Sequence, residues 1–303
     1  MTDIYIISGF LGAGKTTLIQ KLLAGVLKDR TVALVENDFG EISVDAALLR
    51  KGGCQVRELN SGCICCSLTG DFVSALSGLL SEYHPEVILI EPSGVGKLSD
   101  VDRCCRDPRI TPQARVIRKI TVVDVKRCRR YLENFGEFFE DQLTHADAVV
   151  LSRTGDYPDA VPAARELILQ LNPRVLLFSH GMEQLPEELL AVEESPWEHG
   201  RPGTRCGHDH SHGADEAFDT VTIRLPRTVR PSAVKSLFPL LENRSCGEIL
   251  RMKGILKGPD GFFQIQYLPG ELTLGETEVC GHELCFIGPG LDPDRLRGLL
   301  AAL

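Results

Sequence analysis

The stretch IYIISGFLGAGKTT, Ile4 to Thr17, carries the signature of the first domain. A short, wholly apolar β-branched run leads into a glycine-rich turn, and a helix-forming run follows. The turn fits the pattern GxxxxGK[ST] at Gly9, Gly14, Lys15 and Thr16. This pattern carries a mechanism when a strand precedes it and a helix follows. The glycines let backbone N–H groups close around phosphate oxygens, and the helix N-terminus adds positive potential. Lys15 is placed for the β- and γ-phosphates and the Thr16 hydroxyl for Mg²⁺. Gly12, Ala13, Gly14, Lys15, Thr16 and Thr17 are therefore the expected phosphate-binding residues.

Further apolar runs alternate with helical patterns beyond it: TVALVEND, EVILIEPSG, ITVVDV, AVVLS and RVLLFS as strands, with TTLIQKLLAGVL, SLTGDFVSALSGLL, CRRYLENFGEFFEDQL and AVPAARELILQL as helices. Continuous rather than alternating apolar strands indicate a mostly parallel sheet with helices on both faces. The expected organisation is an α/β P-loop domain over residues 1–185, a Pro-, Gly- and His-rich linker or loop over 186–216, and a small C-terminal α+β domain over 217–303. The last is read from the strands FDTVTIRL, EILRMKGIL, GFFQIQYL and ELCFIG, with SAVKSLFPLLE and DPDRLRGLLAAL as helices.

Composition narrows the function classes. With 33 Lys and Arg against 42 Asp and Glu, the net charge of −9 excludes a generally basic nucleic-acid footprint, so any anion must be held by a local device. No apolar run is long enough to span a bilayer. The apolar start enters the glycine turn directly and reads as a first buried strand rather than a signal peptide. Cytoplasm is the expected compartment. Eleven cysteines, an odd number, point there to metal binding, catalysis or plain burial before disulfides.

Two more strand ends face the same crevice, since ligands of open α/β sheets bind beyond the carboxyl ends of strands. Glu91 and Gly94 lie in EPSG, Glu36 and Asp38 in ENDFGE. Glu91 is a candidate for orienting Mg²⁺ or the attacking water, and Asp38 for the same task in a switch segment. Gly94 suits close backbone approach to the γ-phosphate.

The motif GCICC, Gly62 to Cys66, places Cys63, Cys65 and Cys66 together. The spacing is not the CxxC of a redox pair, and closure between neighbours is strained. Metal ligation by thiolates at a helix start is the favoured reading, with Glu36 as an additional oxygen donor; buried, inert thiols are the alternative. In CGHDHSH, alternating His208, His210 and His212 would share a weak loop metal site on an extended backbone, the alternative being a solvated polar loop. Cys54, Cys104, Cys105 and Cys128 lack ligand spacing and read as buried thiols.

Together these motifs resemble the CobW-type metallochaperone GTPases, a SIMIBI-class P-loop family; GEILRMKG and CFIG in the C-terminal part belong to the same resemblance. It implies GTP hydrolysis with Mg²⁺ coupled to binding of Zn²⁺, or of Co²⁺, Ni²⁺ or Fe²⁺, at the CxCC thiolates, and delivery to a client metalloprotein. No nucleic-acid or membrane partner is expected, and the assembly is expected to be a monomer or homodimer. A nucleotide-switched activator that does not itself transfer metal is the other reading. Where the family carries NKxD, this chain has Ser152, Arg153, Thr154 and Gly155, with Asp156 displaced by one place. Arg153 and Asp156 are the residues expected to meet the base, and GTP is expected over ATP.

Overall fold

The computed structural model describes residues 1–36, 69–182, 187–190, 218–301 and 303. Asp38, Cys54, Cys63, Cys65, Cys66, His208, His210 and His212 lie outside the described residues.

The first strand, β1 (Thr2–Gly9), runs into the glycine loop and α1 (Lys15–Ala24). There follow β2 (Val32–Glu36), α2 (Thr69–Tyr83), β3 (Val87–Glu91), α3 (Leu98–Cys105), β4 (Ala114–Asp124), α4 (Cys128–Thr144), β5 (Ala148–Ser152), α5 (Val161–Leu171) and β6 (Leu176–Phe178). These strands make one parallel sheet in the order β2-β3-β1-β4-β5-β6. Both its faces are buried, which is why the strands read as unbroken apolar runs. Tyr5, Ile7, Leu89 and Val122 pack with Leu18, Ile19 and Leu22 of α1 on one face. Ile4, Ile6, Ile88 and Val149 pack with α2 to α5 on the other.

The chain resumes with β7 (Asp219–Arg224), α6 (Pro231–Ser236), α7 (Phe238–Glu242), β8 (Arg251–Lys257), β9 (Phe262–Leu268), β10 (Glu271–Thr277), β11 (Glu283–Gly288) and α8 (Pro293–Ala301). The second sheet is antiparallel, in the order β10-β9-β8-β11-β7. Its period of two separates its faces. Met252, Ile265, Tyr267, Leu284 and Phe286 meet Val234, Leu241, Leu296 and Leu300 of the helices. Leu268, Cys285 and Ile287, on the opposite side, join the core of the parallel-sheet unit, as does Phe218, whose ring lies 5.9 Å from Phe135 and 5.2 Å from Phe138.

Three details depart from the sequence expectation. SAVKSLFPLLE is two short helices meeting at Leu237, where Pro239 cannot donate a backbone hydrogen bond. The strand β10 is not among the expected strands, because its apolar alternation is only two residues long, Leu272 and Leu274, and neither is fully buried. The strand expected from Ile120 begins at Ala114, paired to β1 from Thr2 onward.

Candidate functional site

The sequence between Gly9 and Lys15 can turn tightly because its glycines accept backbone angles closed to other residues. Gly12 has φ +69°, and a Cβ there would stand 2.3 Å from Leu268 Cδ1 of the second sheet. Lys15 is buried at the start of α1; its Nζ donates to the Gly9 carbonyl at 3.1 Å and lies 3.9 Å from Glu91 Oε1. The Thr16 hydroxyl donates to the same carboxylate, 3.2 Å from Oε2. Thr16 and Glu91 are thus brought together, a hydroxyl and a carboxylate of the hard oxygen type that suits Mg²⁺.

Glu36 stands beside Glu91 because β2 and β3 are parallel neighbours with these two residues in register at their carboxyl ends. Side chains in register on adjacent strands project to the same side. Two acidic groups therefore share one strand-end position, one in contact with Lys15 and Thr16, the other leading directly into the segment of Asp38.

Gly94 packs against the loop itself. A Cβ there would lie 2.9 Å from Leu11 N and 3.0 Å from Leu11 Cα, and neither backbone atom can swing aside. Gly94→Ala is therefore expected to destabilise the fold by about 1–3 kcal/mol, the usual cost of overpacking, and to weaken nucleotide binding. Chemical unfolding and titration with a fluorescent nucleotide check this; a variant unchanged in both would show that the contact yields.

Two supports of this region have no sequence motif. Fully buried Gln142 on α4 donates through Nε2 to the carbonyls of Gly94 (3.2 Å) and Gly96 (2.8 Å), while Thr121 donates to the Gln142 carbonyl. The Tyr131 hydroxyl donates to the Leu11 carbonyl at 3.2 Å, and the Phe10 ring is 4.4 Å from that of Tyr131 and 5.2 Å from Phe135. The phosphate loop is thereby held from behind by α4.

On the far side, Ser152 at the end of β5 and Arg153, Thr154, Gly155 and Asp156 in the turn after it all line the same cleft as residues 12–17 and Glu91. The cleft encloses about 620 Å³. Arg153 has φ +58° and is engaged in ion pairs rather than standing alone over the cleft: Nη1 reaches Glu271 of β10, and Nε lies 3.5 Å from Asp124 Oδ2. Arg127 joins them, bonding Asp124 through Nη1 and Glu271 Oε2 through Nη2 at 2.8 Å. The Arg153 hydrogen bond, aided by Arg127, holds the Glu271 carboxyl down to about 2. Arg251 of β8 and Gln266 of β9 also line the cleft. Lys253, two residues on from Arg251, is buried; burial pushes it down to about 8, Cys285 and Glu36 draw it upward, and Lys15 pushes it further down.

Cys104, Cys105 and Cys128 are buried, and burial raises the Cys105 thiol and carries that of Cys128 up to about 12, as inert thiols require. Among the described residues, no group of three His, Cys, Asp or Glu side chains is arranged to hold a metal ion. No described helix is long and apolar enough to cross a membrane.

A glycine loop between β1 and α1 with a buried lysine, a hydroxyl and a carboxylate at its mouth defines a P-loop nucleotide-binding protein. The sequence model described as "CobW/HypB/UreG, nucleotide-binding domain" matches residues 3–178, and that described as "Cobalamin synthesis protein cobW C-terminal domain" matches 218–303. The chain belongs to the CobW/HypB/UreG family. It is 31% identical to zinc chaperone CobW of Pseudomonas aeruginosa, covering 92% of this chain and 87% of that protein. It is 28% identical to zinc chaperone YeiR of Escherichia coli, covering 92% and 90%. Among solved structures, Zn(II)-bound YjiA GTPase from E. coli is similar, with 20% identity, a TM-score of 0.48, and coverage of 100% of this chain and 98% of that one.

Proposed function

We propose that this protein is a GTP-hydrolysing metallochaperone that takes up zinc, or a similar transition metal, at Cys63, Cys65 and Cys66 and delivers it to a client metalloprotein. The observation that carries the reading is the pairing of Glu36 with Glu91 at neighbouring strand ends. One carboxylate touches the phosphate-loop residues Lys15 and Thr16, and the other stands beside it as a candidate ligand for the metal cargo. The names of the relatives, zinc chaperones and a zinc-regulated GTPase metalloprotein activator of Schizosaccharomyces pombe among them, support it.

In this reading Lys15 neutralises the β- and γ-phosphates, and the loop N–H groups from Gly12 to Thr17 hold their oxygens. Thr16 and Glu91 would hold Mg²⁺, which offsets charge on the phosphate oxygens. Glu91 or Asp38 orients the attacking water, and Gly94 lets backbone approach the terminal phosphate. Ser152, Arg153 and Asp156 receive the base. His208, His210 and His212 form a secondary, weaker metal site. The working division is residues 1–185 for the nucleotide and CxCC motif, 186–216 for the His-rich linker, and 217–303 for the C-terminal domain, acting as a monomer or homodimer in the cytoplasm.

The test is linkage. Zinc affinity is measured in reduced apo protein with a non-hydrolysable GTP analogue and with GDP, in the unaltered protein, in Glu36→Ala and in a Cys63→Ser, Cys65→Ser, Cys66→Ser variant. We expect the two nucleotide states to differ about tenfold, roughly 1.4 kcal/mol, with the same factor appearing in nucleotide affinity when zinc is bound. The serine variant should lose the tight zinc site, and ATP should compete poorly with GTP. Zinc uptake indifferent to the three cysteines would instead make the protein a nucleotide-switched activator, and equal zinc affinities would end coupled delivery.

A further inference from the structure

The second sheet lies across the nucleotide cleft in a definite order. Glu271, on β10, pairs with Arg153 beyond the end of β5. Leu268, on β9, sits on Gly12 beyond the end of β1. Lys253, on β8, feels the charges of Lys15 and of Glu36 at the end of β2. In the parallel sheet, β5, β4, β1, β3 and β2 succeed one another in that direction, so the strands β10, β9, β8 are laid over the cleft from its base end toward the end where Glu91 and Lys15 meet. A nucleotide lying along the cleft with its base near residues 152–156 would point its phosphates toward the end that β8 covers.

Register decides what β8 presents there. Lys253 pairs with Gln266 and with Cys285, and Met252 with Tyr267 and Phe286. Met252, Tyr267 and Phe286 face the helices of the C-terminal unit, so Arg251, Lys253 and Gln266 belong to the face turned toward the phosphate loop. Arg251 and Gln266 both line the cleft with residues 12–17 and Glu91. On that face Arg251 lines the cleft that Lys15 also lines, and Lys253, two residues on, feels the charges of Lys15 and Glu36. Arg251 from the C-terminal unit and Lys15 from the phosphate loop give one cleft two cations for a polyanion, beside the carboxylate of Glu91.

We propose that Arg251 contacts the terminal phosphate of a bound nucleoside triphosphate, so that the C-terminal domain is part of the nucleotide site and distinguishes triphosphate from diphosphate. A guanidinium matches a phosphate's oxygens through paired N–H donors, which a diphosphate ending one group short would not meet. Gln266, opposite Lys253 on β9, adds a neutral donor to the lining of the cleft.

The inference rests on the nucleotide reading of the cleft, and one titration series separates the two. GDP and a non-hydrolysable GTP analogue, each with Mg²⁺, are titrated into the unaltered protein, Arg251→Ala, Arg251→Gln and Arg251→Lys, with the thermal midpoint of each nucleotide-free protein recorded alongside. We expect Arg251→Ala and Arg251→Gln to bind the triphosphate analogue roughly tenfold to a hundredfold more weakly, the usual weight of a hydrogen bond to a charged group. GDP affinity should stay within about twofold, and Arg251→Lys should recover part of the loss. Should Arg251→Ala fail to fold, the neutral and near-isosteric Arg251→Gln carries the comparison. An unchanged ratio of the two affinities, whether both fall together or neither falls, overturns the proposal while leaving the GDP site standing. An unaltered protein that binds neither nucleotide overturns both readings.

Discussion

Lys15→Ala is expected to lower nucleotide hydrolysis by roughly a hundredfold to a thousandfold, the range found when one preorganised charge or donor is removed from a developing phosphate or oxyanion site. The residue is buried at the mouth of α1, its Nζ fixed by the Gly9 carbonyl and by Glu91, so its position is set before any phosphate arrives. Truncation removes that charge and leaves Glu91 facing the phosphates, which adds repulsion to the lost attraction. The fold should persist, because Leu18, Ile19 and Leu22 anchor α1. Single-turnover hydrolysis and the thermal midpoint measured on the same samples decide the matter. Undiminished turnover would remove the glycine loop from the mechanism.

Arg127→Ala carries the largest expected cost in stability, about 3–5 kcal/mol, since it strips a partner from a buried ion pair. Arg127 is 3% exposed and Asp124 1%, and the pair is the hinge point from which Glu271 reaches across to Arg153. Glu271→Gln, at a site one-third exposed, should cost far less, about 1 kcal/mol. Its pH dependence has a definite sign. The Glu271 carboxyl is held at about 2, below its ordinary 4.5, so its contribution is complete above about pH 4.5 and is lost as pH falls toward 2. The stability gap between the unaltered protein and Glu271→Gln should therefore close on acidification. Urea unfolding at pH 7 and pH 3 measures both effects; a gap that widens at pH 3 would contradict the ion-pair account, as would an Arg127→Ala variant of undiminished stability.

What the sequence could reveal follows from how far each signal reaches. The phosphate loop is legible because all its chemistry lies within nine residues, Gly9 to Thr17, and the strand before it and the helix after it are local patterns. The parallel sheet is legible for a related reason, since burial on both faces leaves apolar runs that no surface strand shows. Gln142 was invisible: its side chain serves Gly94 from 48 residues away, and nothing near it in sequence marks it. The same holds for Glu271, which meets Arg153 across 118 residues and Arg127 across 144, on a strand whose exposure hid it. Arg153 itself was expected at the base, and it does line the cleft, but the ion pairs that orient its guanidinium come from Asp124 and from the other sheet.

The placement of Phe218, Leu268, Cys285 and Ile287 in the core of the parallel-sheet unit has a practical consequence. A fragment ending at residue 182 would leave the rings of Phe135 and Phe138 wet and strip the cover from Gly12, while the complementary fragment would bare Phe218, Leu268, Cys285 and Ile287 to solvent. Each piece would tend to clump when made alone. The two sequence families that meet in this chain are thus obliged to travel as one molecule, and trimming it for crystallisation or display should spare the seam between them.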